Sequence, residues 1–594
     1  MAAAGQVQKQ GLAEQDLNPF DPGLAIDVSR LPVLQDRGFV ESLKPFLDAP
    51  LDAEHIQKLT QQVNLYLQSS QALAHVSIPE QDATSGVVQV LVLQSRLGTV
   101  KVEGAEHFPE SAYRENIRLQ PGDAIDLKRL DEDLAWIQRS NSYRSATAVV
   151  VPGGRPGETD IAVRVTEQKP WNVRLTADNT GLDSTRNERL GMSATHANLL
   201  GLGHIGNYSL ATSPDSDTYR AHSGSYTVPL PWRDILTLSG SYADIHALLP
   251  APLNSTGYSA TASARYEKPL AELGGYTHSA ILGIDYKAAN TNVLFSTAPV
   301  FNNITNIFQF IAGYRGSWQD AYGRTGFNAN LVYSPGGITG DNRDDRFSAS
   351  RAGAKSQYVY GNLTLDRLTY LPMDWTWALN ARLQVANENL LGSEQLYGAG
   401  TYAVRGFREG LLYADEGFVV RNEVGPPTLY WIDAFRAQVY GFLDGARTNS
   451  VNRLPGERVH KIASVGFGTK VSVMNHFDVR AEFGHVLATN LDGRTGDGLR
   501  AHIGLSASFK PKHCASSQEG VYANPSIAKF RKFGVTSRTA LMPHSLGKQH
   551  RVQAGSFITG NVVEHPAGFF FHQTLLTVPG PPGLCPGTPP IGRP

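Results

Sequence analysis

Two cysteines, Cys514 and Cys585, are all that 594 residues contain, and everything before Cys514 is cysteine-free. Thiolate metal sites, thiol redox chemistry and a disulfide framework are therefore excluded from the greater part of the chain. No apolar run approaches the roughly 18–20 residues that a membrane-spanning helix needs. This excludes a helical membrane protein but not a membrane barrel, whose alternating strands look only moderately apolar. Charge of one sign is missing too: the formal net charge is -1, so no global basic field points to nucleic acid, and no nucleic-acid partner is expected. The first residues, Met-Ala-Ala-Ala-Gly-Gln, have neither a basic n-region nor an apolar h-region. An export signal is expected to have been trimmed or to belong to a different start.

Catalytic constellations are also lacking. There is no P-loop, no His-Glu-x-x-His, and no Ser/His/Asp set that can be placed; the 17 histidines are scattered. Gly201-Leu-Gly-His-Ile-Gly206 has the dinucleotide-fingerprint spacing, but no helix follows it and no acidic residue sits in a βαβ context. It reads as a glycine-rich hairpin turn. No catalytic residue, metal or cofactor is expected, and the chain is not read as an enzyme.

What is abundant is glycine (58), tyrosine (23) and phenylalanine (24), suited to tight hairpins and interfacial aromatic belts. Residues 1–22 read as a leader or linker. Two small units of βααββ order follow, at 23–97 and 98–168. In the first, Leu-Ala-Ile-Asp-Val at 24–28 is a strand, 39–47 a short helix, 52–69 a longer one, and 73–78 and 86–93 are strands. Asp52 is the expected N-cap of the long helix, and Ile56, Leu59, Val63, Leu65 and Leu67 its apolar stripe. The second unit repeats the order: a strand from Thr99, helices at 111–117 and 127–140 (Asp126 capping the latter), and strands at 146–152 and 159–166 joined by a glycine-rich turn. The order fits a pair of generic α+β domains and also a pair of POTRA modules.

From 169 to 510 helical periodicity vanishes. Segments alternate small or polar residues with apolar or aromatic ones, separated by Gly, Asp, Asn and Pro turns. Sixteen begin near 169, 188, 204, 218, 234, 257, 277, 307, 323, 356, 375, 410, 433, 459, 476 and 498. An even number returns both termini to one side of a membrane, and short turns such as 229–234 alternate with longer loops such as 291–306 and 337–355. Only a closed sheet satisfies every backbone N–H and C=O in lipid. The expected fold is mixed: two tandem α+β POTRA-like domains, then a 16-stranded antiparallel transmembrane β-barrel. Residues 511–594, rich in Pro, Gly and His, lack alternation and read as a disordered or frame-shifted tail.

The segment 392–410 is unusual for a loop. It holds Val404-Arg405-Gly406-Phe407, and about forty residues later comes Phe442-Leu-Asp444-Gly445. In the strand from 435, Phe435, Ala437, Val439 and Gly441 share one face. Arg436, Gln438, Tyr440, Phe442 and Asp444 share the other, polar and hence luminal. Arg405 folding inward could pair with Asp444, and the pair would then pin the loop; the alternative is an exposed arginine and an unrelated luminal aspartate.

These residues resemble a known family. Val404-Arg405-Gly406-Phe407 looks like the loop motif of polypeptide-transporting outer-membrane barrels with POTRA domains, and Phe442-Leu-Asp444-Gly445 like the partner strand motif of that superfamily. Ile78-Pro-Glu-Gln-Asp with Gly86-Val-Val-Gln-Val is similar to the end of the first POTRA in two-partner secretion transporters. Asp178-Asn-Thr-Gly, Asn198-Leu-Leu-Gly-Leu-Gly and Gly417-Phe-Val-Val-Arg-Asn-Glu423 resemble further strands of that family. The terminal strand, ending on Phe509, resembles the assembly signal of outer-membrane barrels. The resemblance covers residues 24–510. It implies a transporter of the haemolysin secretion/activation type, whose POTRA domains capture a secreted exoprotein partner as unfolded polypeptide. It further implies a barrel in outer-membrane lipid, inserted by the barrel assembly machinery, that acts as a monomer. An assembly insertase and a passive porin or receptor are the competing readings. Such members usually carry a signal peptide and an N-terminal plug helix, and usually end at the aromatic residue.

Overall fold

A computed structural model describes residues 32–47, 49, 52–70, 73–78, 81, 88, 90–155, 158–295, 298–432, 434–491 and 498–509. The expected leader, the strand at 24–28, most of Ile78-Pro-Glu-Gln-Asp with Gly86-Val-Val-Gln-Val, the tail from 511 and both cysteines lie outside the described residues.

The first unit is built on α1 (Arg37–Leu43) and α2 (Ala53–Ser69), followed by β1 (Ala74–Ser77) and β2 (Leu91–Gln94), an antiparallel pair. Asp52 caps α2, its carboxylate accepting from the His55 amide at 2.8 Å. Val63 and Leu67, one turn apart, pack with Leu34, Phe39, Leu43 and Val76. Leu65 departs from expectation. Two residues from each of them it points to the other face of α2 and is 52% exposed.

The second unit runs β3 (Arg96–Glu103), α3 (Ser111–Arg114), α4 (Leu127–Ser140), β4 (Arg144–Pro152) and β5 (Glu158–Glu167). The sheet order is β3-β5-β4, with β5 parallel to β3 and antiparallel to β4. Asp126 caps α4 through the Arg129 amide at 3.1 Å. The helix expected at 111–117 is shorter, because its C-terminal residues tighten to i→i+3 bonds from Asn116 and Ile117.

Sixteen antiparallel strands close a barrel. They are β6 (Trp171–Asp178), β7 (Arg189–Leu199), β8 (His204–Thr212), β9 (Tyr219–Pro229), β10 (Ile235–Ala247), β11 (Leu253–Pro269), β12 (Tyr276–Phe295), β13 (Ala298–Asp320), β14 (Gly323–Pro335), β15 (Gln357–Tyr370) and β16 (Thr376–Ala386). Then come β17, in two pieces (Glu416–Gly425 and Leu429–Ile432), β18 (Phe435–Asn449), β19 (His460–Val473), β20 (Phe477–Thr489) and β21 (Leu499–Phe509). Pro426 and Pro427 split β17, since neither can donate to the ladder. The seam joins β21 to β6, from Gly504 opposite Asp178 to Phe509 opposite Val173.

Three expectations are corrected. The segment 291–306 is mostly strand, not loop: Thr291 faces Asn303 and Asn292 faces Asn302 across β12 and β13. Asparagine, a turn residue by composition, here pairs in a ladder. β11 starts at 253 rather than 257, and β17 at 416 rather than 410, because 410–415 belong to the long loop before it. The segment 201–206 is the tight turn between β7 and β8 and the start of β8, with Gly201 and Gly203 at φ +74° and +69°.

The outer wall exposes Leu238, Leu282, Phe310, Leu331, Leu383, Leu443, Phe467 and Ile503, the pattern of a lipid-facing band. Exposed Trp171, Trp232, Tyr322, Tyr370, Trp375, Trp431 and Phe509 ring the rim nearest the second unit. That unit docks on the same, proximal rim. The Asn141 side-chain amide donates to the carbonyls of Ala197 (2.6 Å) and Gly203 (3.0 Å), and Arg233, in the β9–β10 turn, donates to buried Asp133 at 2.6 Å.

Candidate functional site

The loop 387–415, between β16 and β17, folds as a hairpin. Leu396–Tyr397 pairs with Tyr413–Ala414, and the Gly398 amide donates to the Leu412 carbonyl at 2.9 Å. Its tip turns at Gly400 (φ +124°), where the Gly400 amide donates to the Val404 carbonyl at 3.0 Å. Glu409 closes the tip, accepting from the Thr401 amide (2.6 Å) and hydroxyl (2.5 Å) and from the Tyr397 hydroxyl. Leu396, Val404, Phe407 and Leu412 bury against Val419, Ala446 and Ile462. The loop thus carries its own apolar face onto the wall made by β17 to β19.

Among the described residues Arg405 is the largest fully buried side chain. Its guanidinium grips Asp444 in a fork, Nε to Oδ2 at 2.7 Å and Nη2 to Oδ1 at 2.8 Å. Nη1 donates to Glu423 at 2.7 Å and to Glu482 at 2.9 Å. The Arg405 amide adds a 3.2 Å bond to Asp444, and Cζ sits 3.7 Å from the centre of the Phe442 ring. Four charge-assisted bonds in a planar array are what a guanidinium can make and an ammonium cannot. Lys470 balances the carboxylates, donating to Glu423 at 3.2 Å, while the Tyr440 hydroxyl donates to Glu482 at 2.7 Å. Removing the arginine would leave buried Asp444 without its guanidinium, while Glu423 keeps Lys470 and Glu482 the Tyr440 hydroxyl; breaking a buried pair costs roughly 3–5 kcal/mol.

Backbone contact fixes the same point. Gly406 has φ +87°, a conformation an L side chain resists, and its backbone lies against Gly484 of β20. The loop is also held far from Arg405. Glu394, fully buried, accepts from the Lys287 ammonium of β12 at 2.8 Å and from the Tyr360 hydroxyl of β15 at 2.9 Å. In a sixteen-strand ring β12 and β20 stand eight strands apart, on opposite walls, so the loop crosses the bore. At its C-terminal end Asp415 is buried and takes a guanidinium fork from Arg351 and a bond from the Leu390 amide at 2.9 Å. Arg351 follows α5 (Asp344–Ser350), whose Phe347 packs with Leu390, Leu391, Tyr358 and Tyr360. The distal loop that carries α5 and the crossing loop therefore form one packed body.

Of the residues singled out in the sequence, the structure brings Val404, Arg405, Gly406, Phe407, Phe442 and Asp444 together. Gly445 is not part of the cluster. It faces outward, and a β-carbon there would meet only an ordinary 3.7 Å contact with the Ile462 carbonyl. Phe509 lies on the outer face at the proximal rim, in the closing seam. Glu423, Glu482 and the Lys287–Glu394 anchor were missed. A charged residue on the luminal parity of a strand was the available signal; which luminal charges meet was not readable from it.

Residues 157–471, more than half of the chain, match the family model described as Haemolysin secretion/activation protein ShlB/FhaC/HecB, and the chain belongs to that family. It is 25% identical over 393 residues to the outer membrane transporter CdiB of Dickeya dadantii, covering 64% of this chain and 67% of that one. It is 20% identical over 482 residues to the heme/hemopexin transporter protein HuxB of Haemophilus influenzae, covering 76% and 80%. Among solved structures, CdiB from Escherichia coli superposes with a TM-score of 0.66 at 18% identity, over 81% of this chain and 89% of that one, a likeness of fold.

Proposed function

We propose that this member of the haemolysin secretion/activation family is an outer-membrane transporter that carries a large secreted exoprotein through its barrel as an extended, unfolded polypeptide. The observation that carries the reading is the inward-folded loop, its Arg405 shared among Asp444, Glu423 and Glu482 on three different strands. A strap folded across the bore obstructs free diffusion while it is in place. A transporter gains from one, because the channel stays closed until a substrate displaces it.

The two βααββ units lie on the periplasmic side and receive the partner. β4 is an edge strand of the second sheet, and an extended chain can add to such an edge by main-chain hydrogen bonding. The partner then passes the barrel and folds outside, and folding there opposes its return. The barrel stands in outer-membrane lipid, reaches it through the barrel assembly machinery with the terminal strand as signal, and works as a monomer. An insertase would release its client sideways through an opened β6–β21 seam, whose six paired positions are intact.

The test is secretion by Arg405→Ala, co-expressed with an exoprotein that the wild-type chain secretes. The variant is expected in the outer membrane as a heat-modifiable barrel, with secretion reduced at least tenfold. Undiminished secretion by a correctly inserted variant overturns the role given to the loop.

A further inference from the structure

On the outer wall, near the distal rim, two cations face each other, and among the described residues nothing between them neutralises them. Arg447 of β18 and Lys461 of β19 are direct cross-strand partners. Both are exposed and both sit on the lipid-facing parity, alternating with buried Ala446, Thr448 and Ile462. Like charges directly opposite each other in a ladder are destabilising. Among the described residues neither side chain has a carboxylate within ion-pair distance. The nearby acids are engaged elsewhere: Glu416 accepts from the Asn449 side chain at 2.9 Å and Glu457 from the Leu454 amide at 3.0 Å. The adjoining loop adds two further exposed cations, Arg453 and Arg458.

The height of the pair identifies what it meets. β18 and β19 begin their pairing at Phe435 and Val473, beside the aromatic proximal rim, and Arg447 and Lys461 lie twelve residues on along each strand. At about 3.3 Å per residue and a tilt of about 40°, that rise is roughly 30 Å, beyond a hydrocarbon band of about 25 Å. Below the pair the same faces carry exposed Val439, Leu443, Val465 and Phe467, which suit acyl chains. The cations therefore stand at headgroup level in the leaflet away from the α/β units.

We infer that Arg447 and Lys461, flanked by Arg453 and Arg458, form a binding site for a phosphorylated lipid headgroup of the outer leaflet. The phosphate supplies the missing counter-charge between the two strands. Its acyl chains lie on the apolar strip below. The leaflet assignment rests on the orientation given under Proposed function; the site itself does not.

The purified full chain in nanodiscs is titrated with bisphosphorylated lipid A, with the same lipid stripped of its phosphates, and with inorganic phosphate, and bound lipid is counted by native mass spectrometry. The phosphorylated lipid is expected to be retained. The Arg447→Gln/Lys461→Gln variant should bind it on the order of 30-fold more weakly, at about 1 kcal/mol per cation. Equal retention by the variant, equal retention of the dephosphorylated lipid, or displacement by millimolar inorganic phosphate overturns the proposal. Unchanged heat-modifiable mobility of the variant certifies its barrel. Labelling of Arg453→Cys on intact cells reads the orientation separately: labelling only after lysis would sink the transporter topology while leaving the lipid measurement valid.

Discussion

Gly484 has no room for a β-carbon because Gly406 occupies that space. A Cβ built at 484 would stand 2.6 Å from the Gly406 nitrogen and 2.8 Å from its Cα. One of these residues lies on the barrel wall and the other at the centre of the crossing loop, 78 positions apart. The contact is backbone on backbone, so neither side can yield by a rotamer change.

Gly484→Ala therefore leaves the barrel closed and pushes the loop off the wall. Overpacking of this kind costs roughly 1–3 kcal/mol. The expected outcome is normal insertion, with raised ion conductance in planar bilayers and impaired secretion. Conductance and secretion at wild-type levels would show that the loop tolerates displacement.

The anchor on the opposite wall yields a charge-coupled prediction. Lys287→Met leaves Glu394 buried without its ammonium and is expected to free that end of the loop, raising conductance. Breaking a buried pair costs roughly 3–5 kcal/mol, whereas replacing both members by apolar residues is often near neutral. Lys287→Met/Glu394→Met should thus conduct less than Lys287→Met alone. A double variant that conducts at least as much would disprove the anchor. Three loop residues, Glu394, Arg405 and Asp415, each answer a charge on another element, so the effects are not expected to add.

The docking of the second unit hangs on Arg233. Asp133 is fully buried and also accepts from the Arg118 amide and guanidinium, both at 2.7 Å, so Arg233→Ala leaves it with a partner and the unit folded. The expected change is in orientation. Spin-label distances between the second unit and the proximal turns should broaden, and secretion should slow. An unchanged, narrow distance distribution would assign the positioning to Asn141 and the turn carbonyls instead.

Much of the fold was legible because its rules are local. A wall with lipid on one side and a polar lumen on the other imposes a two-residue alternation, and in β18 that alternation alone placed Tyr440, Phe442 and Asp444 inside. Helix α4 was legible from its cap, Asp126, and from the repeated order of elements. Where local chemistry was ambiguous the reading failed. The segment 291–306 reads as a loop, yet its asparagines at 302, 303 and 306 lie in β13, and Leu65 was credited to a stripe from which the helical period excludes it.

By itself the sequence determined that strands succeed one another from 169 to 510 and which side of β18 faces inward, because these follow from the nearest neighbours along the chain. Only the tertiary structure decided that Arg405 meets Glu423, Asp444 and Glu482, which lie 18, 39 and 77 residues away. It alone decided that the loop spans the bore from β12 to β20. Those meetings depend on strand register, on closure of the sheet and on a loop folding inward. Each is set by the free energy of the whole barrel, and no short stretch of residues records it.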